Sequence, residues 1–148
     1  MQKELITEKS SETQKLGEKM AKKMKGGEVV CLSGDLGAGK TTFAQGFLRG
    51  LGAEGPFVSP TFLIMKQYKI GRKKPFREIY HIDAYRVNAQ NIIDLGWEEI
   101  VKNKNNIIII EWAEKISEII PQSALEVEFE WLDKNKRKIR FKNFKFLK

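Results

Sequence analysis

Acidic residues stop at Asp133, cysteine and histidine each occur once, and proline occurs four times. One cysteine excludes an internal disulfide and any multi-cysteine metal site. Cys31 lies in the apolar run VVCLS, where a buried, unreactive thiol is expected. No apolar run approaches the roughly 20 residues of a membrane-spanning helix; the longest strongly apolar block, NIIIIEW, is strand-sized. The opening residues MQKELITEKSSETQ lack the apolar centre of a secretory signal and carry acids that transit peptides avoid. These absences together predict a cytoplasmic protein. Repeats and low-complexity linkers are also missing, so the 148 residues read as one domain spanning 1–148. A hydrophobic fraction of 41% is enough to build a core rather than a disordered chain.

The charge that is present is uneven. The net charge is +8, and the segment KNKRKIRFKNFKFLK after Asp133 contributes eight cations, equal to the whole excess. Aromatic residues interleave with them. Contact with nucleic acid and a merely solvated strand face are both open readings of this tail.

Pattern reading gives alternating strands and helices. A first helix is expected over 13–23, with Leu16 and Met20 four apart. EVVCLS reads as a buried strand and FAQGFLRGLG as a helix ending near Gly52. FLIMKQY, REIYHID and NIIIIEW are further strands. Asn88 is placed to cap a helix through AQNIIDLGWEEIVKN, which Gly96 is placed to split. AEKISEII reads as a short helix, ALEVEFEWL as a half-exposed antiparallel strand, and RKIRFKNFKF as one or two more. With GDLGAGKT between the strand EVVCLS and the helix that follows, the expected fold is α/β: a P-loop NTPase-like three-layer fold, its sheet mainly parallel with antiparallel strands added at the C-terminal end.

GDLGAGKT, Gly34 to Thr41, satisfies the G-x-x-x-x-G-K-[ST] pattern between a buried strand and a helix. Its glycines let backbone N–H groups turn toward phosphate oxygens at a helix N-terminus. Lys40 is expected to reach the β- and γ-phosphates, and the Thr41 hydroxyl to ligate Mg²⁺. Thr42 suits an α-phosphate contact or helix capping, and Asp35 a turn held by its side chain. The nearest guanine-reading string, NKNN at 103–106, lacks the required aspartate, which favours ATP.

Such a site needs a carboxylate at the end of a neighbouring strand. Asp83 ends IYHID and Glu111 ends IIIIE, and both qualify. His81 lies two residues before Asp83, on the same side of a strand. Phosphoryl transfer needs charge neutralisation and water positioning more than an imidazole nucleophile, so Asp83 reads as the chemical residue and His81 as a hydrogen-bonded support. Arg86 reads either as a cation for the γ-phosphate or as half of an ordinary ion pair.

LGE (16–18), GDLGAGKTTF (34–43), SPTF (59–62), HIDAYR (81–86) and IEWAE (110–114) together resemble the TsaE family of bacterial proteins. The resemblance covers most of the chain. It implies an ATPase component of tRNA threonylcarbamoyladenosine synthesis, binding ATP and Mg²⁺ and acting with TsaB and TsaD family proteins. TsaD family proteins transfer the threonylcarbamoyl group to the adenosine 3′ of the anticodon. In the family's pattern Gly37, Ala38, Gly39, Lys40, Thr41 and Thr42 hold the phosphates, Thr41 and Glu111 hold Mg²⁺, and Asp83 serves hydrolysis. Thr61 of SPTF occupies a switch-like place, and Trp112 is a reporter, a partner-facing aromatic or simple packing. Thr13 and Arg137 are candidates for contacts to the base. The family reading has tRNA reached through the complex, with direct contact by the basic tail as an open possibility.

Two other functions fit the residues. One is a small-molecule kinase with Asp83 as base and GRKKPFR as a lid supplying arginines. The other is a nucleotide-gated tRNA-binding module whose ATP turnover is incidental.

Overall fold

A computed structural model describes residues 2–57 and 64–144. The SPTF string and the last four residues lie outside them. Among the described residues, seven strands form one sheet in the order β1-β7-β6-β2-β5-β4-β3. They are β1 (Gln2–Thr7), β2 (Val29–Gly34), β3 (Met65–Lys69), β4 (Glu78–Asp83), β5 (Asn106–Glu111), β6 (Leu125–Trp131) and β7 (Arg137–Lys142). β4, β5, β2 and β6 run parallel, and β3, β7 and β1 are antiparallel to their neighbours. The sheet therefore has a parallel core with antiparallel strands at both edges.

β5 explains the layering. Ile107 and Ile109 face one core and Ile108 and Ile110 the other, all at 0–1% exposure. Strand side chains alternate, so a strand apolar on both faces demands cover on both. Burying each isoleucine is worth about 1.5–3 kcal/mol. Helices α1 (Ser10–Ala21) and α2 (Lys40–Gly50) cover one face, where Phe43 and Phe47 pack with Val127, Phe129 and Phe141. Helices α3 (Ala89–Ile93) and α4 (Trp97–Lys102) and the 3₁₀ segment Ala113–Ile119 cover the other. α1 and α2 approach closely because glycines line their contact. A Cβ on Gly46 would come within 2.0 Å of the Gln14 carbonyl oxygen.

Several boundaries differ from expectation. α1 begins at Ser10, three residues earlier than the apolar spacing suggests. The Glu12 carboxylate accepts the Glu8 N–H at 2.9 Å and supports that early start. β1 was not expected at all. It is a short edge strand whose Leu5 packs on the core, too brief for its alternation to stand out. β6 is half-exposed as expected and antiparallel to β7. It is also parallel to β2, which places it inside the sheet rather than on its rim. Asn88 caps α3 reciprocally with Asn91, both contacts 3.0 Å, and Gly96 at φ 95 separates α3 from α4, as the sequence suggests. Cys31 is 5% exposed, and burial, with Glu126 nearby, pushes its thiol up to about 12.

Charge is largely neutralised on the uncovered face of β6, β7 and β1. Arg140 bonds Glu4 at 2.8 Å, Lys142 bonds Glu128 at 2.7 Å, and Lys138 lies 3.8 Å from Glu130. Three cations of the basic segment, Lys138, Arg140 and Lys142, thus belong to a cross-strand ion network. Among the described residues no helix is long and apolar enough to cross a membrane.

Candidate functional site

The P-loop runs from the end of β2 into α2, as its sequence requires. Gly34, Gly37 and Gly39 all take positive φ (130, 76 and 105), which side-chain-bearing residues rarely adopt. The turn is closed by backbone: the Ala38 N–H donates to the Asp35 carbonyl at 3.1 Å. The Asp35 side chain is not what holds it. Lys40 is 4% exposed, and its Nζ donates to the carbonyls of Gly34 (2.6 Å) and Asp35 (2.7 Å). Burial holds the Lys40 ammonium below the ordinary lysine value of 10.5, opposed by the charges of Glu114, Glu111, Asp35 and Asp83.

β5 brings Glu111 to the same edge. The Thr41 hydroxyl donates to Glu111 Oε1 at 2.8 Å across 70 residues of sequence. The other carboxylate oxygen, Oε2, lies 2.6 Å from His81 Nε2 on β4, both side chains almost fully buried. His81 is thus hydrogen-bonded, as the sequence suggests, and its partner is Glu111. Asp83 and Glu111 are register partners at the ends of β4 and β5. Asp83 Oδ1 accepts the Tyr85 N–H at 3.0 Å.

Trp112 follows Glu111 in the left-handed region at φ 61, which turns the chain sharply off the strand. Its ring lies 3.9 Å from Lys40 Nζ and 4.8 Å from the Tyr85 ring. The HIDAYR and IEWAE strings thus meet over the P-loop lysine, an arrangement that favours the cation over a π-face. Arg86 is exposed and makes no ion pair among the described residues.

A cavity of about 340 Å³ opens above these groups. Gly37, Gly39, Lys40, Thr41 and Thr42 form one wall, and Glu111 and Trp112 the floor. Ser10 and Thr13 from α1, Lys134 and Asn135 from the β6–β7 connection and Arg137 at the start of β7 line the far side. Thr13 and Arg137, far apart in sequence, both reach this cavity. Thr13 is fixed by a 2.8 Å hydroxyl contact with Thr7, and Arg137 by bonds to the carbonyls of Asp133 (2.7 Å) and Lys136 (2.9 Å). Ala38 and Asp83 do not line the cavity; Ala38 is fully buried beneath the loop.

The Thr41 and Glu111 oxygens are hard donors side by side at the mouth of an anion-binding loop. That set fits Mg²⁺, which takes few protein ligands and leaves the rest to phosphates and water. Among the described residues no cluster of three His, Cys, Asp or Glu side chains could hold a metal alone.

Sequence reasoning missed Glu114, whose Oε2 accepts the Gly34 N–H at 3.2 Å. Its place in IEWAE, three residues after Glu111, was the available signal. The GRKKPFR segment lies between β3 and β4, at the sheet edge opposite the cavity, so it cannot serve as a lid.

The model of the family described as "Threonylcarbamoyl adenosine biosynthesis protein TsaE" matches residues 7–139. The tRNA threonylcarbamoyladenosine biosynthesis protein TsaE of Aquifex aeolicus is 39% identical over 142 residues, covering 93% of this chain and 94% of that protein. The protein of the same name from Bacillus subtilis is 38% identical over 130 residues, covering 88% and 78%. The crystal structure of Bacillus subtilis YdiB matches with a TM-score of 0.74 and 30% identity, over 95% of this chain and 84% of that one. The chain belongs to the TsaE family, proteins of tRNA threonylcarbamoyladenosine biosynthesis.

Proposed function

We propose that this chain, as a single P-loop domain, binds ATP with Mg²⁺ and hydrolyses it in support of tRNA threonylcarbamoyladenosine synthesis, together with TsaB and TsaD family proteins. The observation that supports this most directly is the 2.8 Å contact between Thr41 and Glu111 at the mouth of the cavity. A P-loop hydroxyl and a strand-end carboxylate, 70 residues apart, converge where a nucleotide's metal belongs.

In this reading the backbone N–H groups from Gly37 to Thr42 receive the phosphates. Lys40 exchanges the Gly34 and Asp35 carbonyls for the β- and γ-phosphate oxygens, and its ammonium regains the charge stabilisation that burial withholds. Thr41 and Glu111 hold Mg²⁺, which supplies charge neutralisation on the phosphates. Asp83, on the strand beside Glu111, orients the attacking water and accepts its proton. Thr13 and Arg137, at the far side of the cavity, contact the base or ribose. In this reading the chain assists the threonylcarbamoyl transfer, and the TsaD family partner carries it out.

The test is phosphate release from ATP by the purified chain alone, then with TsaB and TsaD family partners, then with tRNA. Strong stimulation by the partners is expected. Turnover that needs only a small hydroxyl acceptor would replace this reading with a kinase.

A further inference from the structure

Three connections meet at the sheet edge opposite the cavity: the α1–β2 loop, the β3–β4 hairpin and the α4–β5 turn. The Arg77 N–H donates to the Asn105 carbonyl at 2.7 Å, and the Gly27 N–H donates to the Asn106 carbonyl at 2.7 Å. A Cβ on Gly26 would meet the backbone oxygens of Lys104 and Pro75 at 2.5 and 3.4 Å. This convergence places Lys25, Arg72, Lys73, Lys74, Arg77 and Lys104 on one pole of the molecule.

None of these six side chains pairs with a carboxylate among the described residues. The Arg77 guanidinium bonds only carbonyls, those of Lys74 (2.5 Å) and Phe76 (3.0 Å). The acids nearby are engaged or sparse. Glu28 accepts the Lys25 and Gly26 N–H groups at 2.9 and 2.7 Å, Glu78 accepts from Gln67 and Tyr80, and Glu54 is exposed. β7 is the contrast, since its three outward cations each face glutamates. The aromatic rings of the hairpin are turned inward, Phe76 at 1% and Tyr68 at 7% exposure. The pole therefore offers charge without stacking platforms, which suits the phosphodiester backbone of a folded duplex rather than splayed bases.

We infer that this pole, built around Arg72, Lys73, Lys74 and Lys104, binds the phosphate backbone of tRNA directly. The inference rests on the family's tRNA pathway and not on ATP hydrolysis. β2 alone spans six residues between the pole and the P-loop, roughly 20 Å at ~3.3 Å per residue, so the two anion sites do not compete. This placement of the RNA contact differs from the open reading of direct contact by the basic tail.

The test measures binding of an unmodified tRNA transcript to the full chain by fluorescence anisotropy, without nucleotide, across a salt series. Arg72→Gln/Lys73→Gln/Lys74→Gln is compared with the parent and with Lys138→Gln/Arg140→Gln/Lys142→Gln, which removes the same charge from β7. Weakening of about tenfold or more is expected in the hairpin variant, with the slope of log K against log salt shallower by about 2 to 3. The β7 variant is expected to stay within about twofold of the parent. Lys25→Gln/Lys104→Gln, on the other two connections, repeats the test should the hairpin variant melt early by circular dichroism. Equal losses in both triple variants, tRNA binding absent from the parent, or unchanged tRNA binding with lost response to the TsaB and TsaD family partners would each overturn the assignment. The last result would mark the pole as a site for an acidic protein surface.

Discussion

His81 Nε2 and Glu111 Oε2 lie 2.6 Å apart on adjacent parallel strands, both side chains at 2–3% exposure. The same carboxylate accepts the Thr41 hydroxyl through its other oxygen. The imidazole and the P-loop hydroxyl thus hold opposite oxygens of one carboxylate. His81→Ala is expected to leave a buried acceptor short of a donor and to lower unfolding free energy by about 1–3 kcal/mol, read from urea denaturation. It should also raise the Mg²⁺ concentration needed for half-maximal ATP binding. Unchanged Mg²⁺ dependence in a folded variant would show that His81 only fills space.

Asp83 and Glu111 end neighbouring strands yet are expected to fail differently. Asp83→Asn keeps an oxygen for the Tyr85 N–H and should retain ATP affinity while hydrolysis falls by about 10²-fold or more. Glu111→Ala should instead make ATP binding nearly independent of Mg²⁺. Equilibrium binding with a fluorescent ATP analogue, with and without Mg²⁺, separates the two from single-turnover phosphate release. Loss of binding in Asp83→Asn would remove it from the hydrolytic role.

Lys40 carries a pH signature. Burial lowers its value in the folded chain below 10.5, so over the interval from that lowered value up to 10.5 the unfolded chain binds more protons. Stability from this group accordingly rises with pH across that interval. Comparing the parent with Lys40→Met by thermal melts from about pH 8 up to the ordinary lysine value should show the difference shifting in favour of the parent. A pH-independent difference would mean that the carboxylates around Lys40 cancel the desolvation.

Two glycines test the fold that carries the site. Gly96 sits at φ 95 with open space where a Cβ would go, so Gly96→Ala should cost only the backbone strain, about 1–2 kcal/mol. Gly46→Ala would drive a Cβ into the Gln14 backbone between α1 and α2. It is expected to cost about 3 kcal/mol or more and to disturb Thr13 at the cavity. Denaturant midpoints of the two variants decide the order; similar values would mean that the helices part easily.

What the sequence determined by itself was short-range. The P-loop, its flanking strand and helix, the Asn88 cap, the Gly96 break and the doubly buried β5 all depend on residues within one or two turns of each other. Composition and spacing express such interactions directly. The tertiary structure decided everything that needed a partner from elsewhere in the chain. Glu111, not Asp83, became the partner of His81 because β4 and β5 are parallel neighbours in that register. Thr13 and Arg137 share a cavity because β7 pairs with both β1 and β6. The fate of the charges was decided in the same way. For Lys138, Arg140 and Lys142 the sequence leaves nucleic-acid contact and a solvated face open, and the register of β7 sets them against Glu4, Glu128 and Glu130. The GRKKPFR cations, a lid in the kinase reading of the sequence, are instead left together at one pole because three connections converge there with few acids to answer them. Coulombic neighbours are set by distance in space, and only sheet topology supplies that distance.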